Sequence, residues 1–221
     1  MLNQLVIATF EENIQLQPGE RHSFALALIR CCVFLSNVTV PTEWSVTPTE
    51  GVTLNPQSGV LTVDESTPEG SVFTVTADVE DGLRFLSIEV RIYDSATNPF
   101  VGVWREGSAQ LDCDTGGELP LVVRRIQELE FRGDNTFSVT WTPFGTFRDY
   151  WGTYTYDLEQ GTLDLTVDEG NYVPDDVDGS GTFSFDEQGL LTLSGIWLGI
   201  SQHDELANTT DSVNCGHQFV P

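Results

Sequence analysis

Apolar and polar residues alternate along most of this chain, and the alternation is sharpest between residues 151 and 199. There WGTYTYDLEQGTLDLTV is followed by SGTFSFDEQGLLTLSG, so that Gly, Thr, aromatic, polar, aromatic, an acidic turn, then Gly and an alternating Leu run occur twice. A period of two on either side of a short glycine-bearing turn predicts a β-hairpin. Two hairpins in succession make an antiparallel meander, whose edges must close on each other or be covered. The pattern extends in both directions, through FVGVWREGSAQLDCD, IQELEFRGD and NTFSVTWTPF upstream and a terminal CGHQFV downstream. That makes about eight strands in roughly 120 residues, the arithmetic of a small up-and-down antiparallel barrel.

The first part of the chain alternates too, with different punctuation. A Pro-Gly turn at Pro18 and Gly19 precedes a strand that carries Phe24, Leu26 and Leu28 on one face. Then come EWSVTP with Trp44, the GVTLNPQSGVLTV hairpin, SVFTVTADVEDG and FLSIEVRIYD. Strands at this spacing, separated by Pro, Gly and Asp turns, predict a seven-stranded sandwich of about 90 to 100 residues. SATNP, residues 95–99, is small, polar and closed by a proline that favours an extended approach, which makes it the linker. The expected fold is therefore all-β, a sandwich over residues 1–95 and a barrel over residues 96–221.

Two stretches resemble known families. EWSVTPTEGVTLNPQSGVLTV followed by PEGSVFTVTADVEDG resembles the bacterial immunoglobulin-like repeats of adhesins and surface lipoproteins, with a core Trp, an Asn-Pro-x-x-Gly-Val turn and a Thr-Val-Thr-Ala strand. Such modules are spacers or presentation platforms, and the resemblance implies no catalytic site. Gly102-Val103-Trp104 on the first barrel strand, with the meander behind it, resembles the lipocalin-like (calycin) domains of bacterial secreted proteins. That likeness implies that Trp104 plugs one end of the barrel and that the interior holds a small apolar ligand.

Charge changes the picture more than composition does. Thirty-four acidic residues face nine basic ones, a formal net charge of -25, and every basic residue is arginine. Such a surface repels phosphate backbones and anionic headgroups, so binding to nucleic acid or to a membrane surface by electrostatics is not expected. It suits solubility or a salty medium, where counter-ions screen self-repulsion. No apolar run reaches the eighteen or so residues of a membrane span, and the first residues lack the basic start and apolar core of a signal peptide. If the protein is exported, its signal has been removed from this chain. Four cysteines allow three pairings, and the acidic, glycine-rich all-β style fits the cell exterior or periplasm.

Alternation puts Phe131, Phe137, Val139, Trp141, Tyr154, Tyr156, Leu163, Leu165, Phe183, Phe185, Leu191, Leu193 and Trp197 on inward faces. An eight-stranded barrel is filled by its own side chains or holds one small ligand. In the second case Trp104, Phe131, Phe137, Trp141, Tyr154, Tyr156, Phe183, Phe185 and Trp197 are the ligand-lining residues. From Asp176, DVDGSGTFSFDE meets much of the twelve-residue calcium-loop spacing. Yet that loop needs flanking helices, whereas residues from Gly181 onward belong to the second hairpin. The expectation is a solvated turn, or else binding of a cation such as calcium through Asp175, Asp176 and Asp178 without Glu187. A Cys113–Cys215 bridge would staple the two ends of the barrel, worth up to about 4.7 kcal/mol for a loop of roughly 100 residues. Cys31 and Cys32 are buried thiols, a vicinal disulfide or partners for something outside the chain.

Histidine and serine add no recognisable chemistry. A three-histidine zinc site would need His22, His203 and His217 together, and the spacing of His203, Asp204, Cys215 and His217 matches no standard metal signature. No serine sits in a Gly-x-Ser-x-Gly elbow. The expectation is an exported, non-enzymatic protein without cofactor, calcium aside. Its barrel captures a small apolar ligand, or presents a binding surface to a cell-surface partner. The rival expectation is a structural subunit of a calcium-stabilised extracellular assembly.

Overall fold

The computed structural model describes residues 3–8, 13–30, 33–35, 40–112, 118–120, 124–144, 146–202 and 214–221. All regular structure among them is β-strand, and the chain divides into two compact units, Met1–Pro99 and Phe100–Pro221.

The first unit contains β1 (Asn3–Ile7), β2 (Asn13–Leu16), β3 (Arg21–Ser23), β4 (Leu26–Arg30), β5 (Val33–Leu35), β6 (Thr42–Thr47), β7 (Val52–Leu54), β8 (Val60–Val63), β9 (Val72–Val79) and β10 (Arg84–Ile92). They form three small sheets, ordered β1-β4-β5, β2-β10-β9-β6 and β3-β8-β7, with β2 parallel to β10. All three sheets contribute to one apolar core, which includes Ile7, Leu16, Trp44, Leu61, Val75 and Val90. The Asn-Pro-x-x-Gly turn has a visible physical cause. The Asn55 side-chain oxygen accepts the backbone N–H groups of Gln57 and Ser58 at 3.0 and 2.9 Å. Gly59 takes φ +66° directly against Trp44, whose indole would lie 2.9 Å from any Cβ there. The glycine thus serves the turn and the tryptophan together.

The second unit contains β11 (Gly102–Asp112), β12 (Glu118–Pro120), β13 (Glu128–Phe131), β14 (Thr136–Thr140), β15 (Tyr150–Asp157), β16 (Thr162–Gly170), β17 (Ser180–Phe185), β18 (Leu191–Ser194) and β19 (Asn214–Val220). Strands β13 to β19 follow one another as an antiparallel meander, and β11 pairs with both β13 and β19. This closes an eight-stranded antiparallel barrel, with β12 added beside the far half of β11. Closure removes the exposed edges that the meander would otherwise carry. The β15–β16 pairing shifts register at Trp151 and Gly152. Any Cβ on Gly152 would sit 1.9 Å from the Thr166 carbonyl oxygen, so the strands approach there only because that side chain is missing.

The barrel interior is apolar, and rings and leucines from every strand of the meander fill it. Phe131, Phe137, Val139, Trp141, Tyr154, Leu163, Leu165, Leu191 and Leu193 are buried there, while Tyr156, Phe183 and Phe185 pack against them half-buried. Trp197 departs from the alternation. Ile196 and Leu198 take the inward places and Trp197 is half-exposed. The reason is Gly195, which adopts φ +78° just after β18 and resets the parity, so that Trp197 instead makes an isolated bridge to Asp178.

Candidate functional site

The two ends of the barrel differ in chemistry. At the end where β11 begins, Phe100 is a buried hub. Its ring lies 4.7 Å from that of Phe183, 5.3 Å from Tyr156, 5.4 Å from Phe131 and 5.5 Å from Phe185. Trp104 is also buried, and its indole N–H donates to the Phe100 carbonyl at 2.6 Å. Aromatic pairs at these separations and tilted or edge-on angles attract beyond their area burial. Of the nine residues expected to line a ligand site, Trp104, Phe131, Tyr154, Tyr156, Phe183 and Phe185 gather here, filling the space with one another and with Phe100.

The opposite end holds polar groups inside the barrel. Glu106 follows Trp104 at the inward parity of β11, and His217 precedes Phe219 at the inward parity of β19. Each side chain is only 1% exposed, and His217 Nδ1 lies 2.6 Å from Glu106 Oε1. The other carboxylate oxygen accepts the Ile126 N–H at 2.8 Å. His217 Nε2 accepts the Leu198 N–H at 3.0 Å, which assigns the ring proton to Nδ1 and makes Nδ1–H the donor to Glu106. The imidazole also stacks on Trp197, with centroids 4.9 Å apart and planes at 11°. Tyr150, fully buried beside them, donates its hydroxyl to the Leu198 carbonyl at 2.8 Å. Burial pushes the Tyr150 phenol well above its ordinary value of 10, and the carboxylates of Asp176 and Asp149 push it the same way.

A histidine and a carboxylate in this relation resemble the base and orienter of a hydrolytic triad. Here the second nitrogen is committed to a backbone N–H, so the ring presents no lone pair to a substrate. Its role in this geometry is to tie the adjacent strands β11 and β19 to the segment after β18. Neither Glu106 nor His217 was among the expected site residues. The signal that could have found them is a charged or titratable residue at inward parity on each of the two strands that close the barrel.

The acidic loop runs across the same end. Asp176 accepts the Trp197 indole N–H at 2.8 Å, and Asp178 accepts the Ser180 N–H at 3.3 Å. Asp175, Asp176 and Asp178 are exposed, and among the described residues no group of three or more His, Cys, Asp or Glu is placed to hold a metal ion. The loop runs into β17 rather than a helix, and Asp176 and Asp178 are engaged by N–H groups of the barrel itself. Trp141 lies at this end, with its ring 6.0 Å from that of Tyr150, and Phe137 lies deeper, 6.2 Å from Tyr150. Cys31, Cys32, Cys113, His203 and the side chain of Cys215 lie outside the described residues, and with them the expected Cys113–Cys215 bridge.

On the outside of β13 and β14 a compact ionic cluster replaces the usual solvated face. Glu130 is paired with Arg132, and it receives Arg148 at 3.3 Å. Arg148 also reaches Glu128 at 3.9 Å. Beyond it, the β14–β15 connection exposes Phe144 at 81% and Phe147 at 36%.

No protein-family model matches the chain, and no curated protein matches it. Among solved structures, the crystal structure of mouse cadherin-23 EC22-24 aligns with 86% of this chain at 11% identity and a TM-score of 0.25, and the chain spans 58% of that structure's length. A likeness that distant carries no argument about fold or function.

Proposed function

We propose that this is an exported, non-catalytic binding protein whose barrel acts through its outer surface, carried on a first unit that serves as spacer in the manner of the immunoglobulin-like modules it resembles. The observation that carries this reading is the packed interior: Trp104, Phe131, Phe137, Trp141 and Tyr154 are buried against one another around Phe100 and Tyr150, with Tyr156, Phe183 and Phe185 packed half-buried against them. Displacing them would cost the dispersion and burial that hold the barrel shut. The engaged histidine supports the non-catalytic part, since both of its nitrogens already have partners. Export is supported by the strongly acidic, lysine-free surface.

An uncharged naphthylamine probe titrated into the purified protein, with native mass spectrometry of the same sample, tests the reading. The expected result is a bare chain mass and no saturable uptake. One-to-one uptake that quenches tryptophan fluorescence would overturn it in favour of an internal apolar ligand.

A further inference from the structure

Two exposed apolar tips, one on each unit, carry opposite surroundings. On the first unit, the end of the β9–β10 hairpin presents Leu83 at 75% and Phe85 at 63% exposure. Phe85 is aligned across the sheet with Asp78, and Asp78 with Glu43. Glu80 and Asp81 occupy the turn itself, in left-handed conformations at φ +52° and +53°. The single arginine there, Arg84, stands among four carboxylates. On the barrel, Phe144 and Phe147 project from the β14–β15 connection. Arg124 donates to Thr142 Oγ1 at 3.1 Å beside them, and Arg124 and its neighbour Arg125 are both exposed.

Large exposed rings are rare on a surface this charged and point to a partner. Charge identifies which partner. With a net charge of -25, most approaches of one copy to another meet repulsion. The barrel's five arginines all lie between residues 105 and 148, and none follows. Residues 124–149 carry four arginines against four carboxylates, and Arg132 and Arg148 are paired with Glu130 and Glu128. On a chain this acidic, the loop beside Arg124 and Arg125 is thus where an acidic surface of another copy meets least repulsion, and the Leu83–Phe85 tip is an acidic surface with apolar side chains of its own.

We propose that the protein associates with a second copy of itself, the Leu83 and Phe85 tip of one copy docking on the Phe144 and Phe147 loop of the other. Tip against tip would bring together two sets of carboxylates, and loop against loop two pairs of arginines, so the contact joins unlike patches. Such a contact closes as a two-fold dimer where the two copies make it reciprocally, and otherwise propagates into a chain or a ring. This rests on the reading that the barrel works through its exterior, and it identifies the partner as a second copy.

Sedimentation velocity of the full chain at about 0.15 M salt, where charge beyond about 8 Å is screened, tests it up to about 1 mM protein, the weak end of specific association. The wild-type mass is expected to rise with concentration to that of a dimer or beyond. Leu83→Ser with Phe85→Ser, and separately Phe144→Ser with Phe147→Ser, are expected to stay monomeric alone, with wild-type circular dichroism. Mixed, the two variants are expected to give a one-to-one dimer that grows no further, because each retains the half that the other lacks. Arg124→Glu with Arg125→Glu should weaken association at least about tenfold, and Glu80→Arg with Asp81→Arg in the partner copy should restore it. A wild type that stays monomeric throughout, or variants that associate alone as the wild type does, would overturn the proposal. A monomer that also takes up no apolar probe leaves the outward-acting barrel standing; a monomer that takes up one equivalent removes both.

Discussion

Replacing Glu106 by glutamine changes one oxygen to an NH2 group and should still cost the barrel measurable stability. The two carboxylate oxygens accept from Ile126 N–H and from His217 Nδ1–H at 2.8 and 2.6 Å. An amide offers one acceptor, so its NH2 must face one of those donors. The imidazole could relieve the conflict by moving its proton to Nε2, but Nε2 already receives the Leu198 N–H at 3.0 Å. One donor is therefore left unsatisfied in a site where both side chains are 1% exposed, a loss of about 1–3 kcal/mol. His217→Phe keeps a ring for Trp197 to stack on, yet removes both hydrogen bonds. A bond to a charged group is worth about 1.5–3 kcal/mol and an unpaired buried N–H costs about 1–3 kcal/mol, so the expected loss is about 2.5–6 kcal/mol. The assay is urea unfolding followed by tryptophan fluorescence, to which the barrel contributes four of the five tryptophans. Long-range proton–nitrogen spectra should show the ring proton on Nδ1. If Glu106→Gln unfolds within about 0.5 kcal/mol of wild type, or the proton is found on Nε2, the account of a committed histidine fails.

Tyr150 should stay protonated in alkali for as long as the barrel is folded. Its phenol is held above 10 by burial and then by Asp176 and Asp149, so the unfolded chain releases that proton first. Its contribution is complete below pH 10 and declines above it; ultraviolet titration should show Tyr150 ionising only with unfolding, and Tyr150→Phe should flatten the decline at a cost of about 1 kcal/mol. Reversible ionisation of all five tyrosines in a folded barrel would contradict this. In the first unit, burial lowers His22 below 6.5, with the Glu20 carboxylate opposing. The unfolded chain therefore takes up the proton first as pH falls, and the unit should lose stability as pH drops through 6.5 and below; a proton NMR midpoint at or above 6.5 would refute it. Gly152→Ala would set a Cβ 1.9 Å from a backbone oxygen and should cost at least the upper end of the about 1–3 kcal/mol of overpacked sites. Gly189→Ala, with open space but φ +80°, should cost only about 1–2 kcal/mol, and equal thermal shifts for the two would refute the close-approach argument.

Much of the barrel was legible because a period of two survives translation into any antiparallel sheet. The inward placing of Phe131, Phe137, Tyr154 and Leu163 follows from it, and so does the closed meander of eight strands. Parity failed at Trp197, where one left-handed glycine reversed the alternation. Spacing left Asp175, Asp176 and Asp178 open between a solvated turn and a cation site, because a ligand set needs convergence in space, and in this loop Asp176 meets the Trp197 indole and Asp178 the Ser180 N–H. Glu106 and His217 stand 111 residues apart, and no local pattern joins them. Their meeting depends on β11 pairing with β19, the last step of closure.

What the sequence determined by itself was therefore everything that a local rule can carry: strand periodicity, the turns, the all-β class and the surface charge. Tertiary structure decided whether the barrel is filled or hollow, which polar groups are sealed inside it, and which apolar side chains are left outside. Those outcomes depend on which residues, remote in the chain, compete for the same small volume, and only the closed barrel brings them to it.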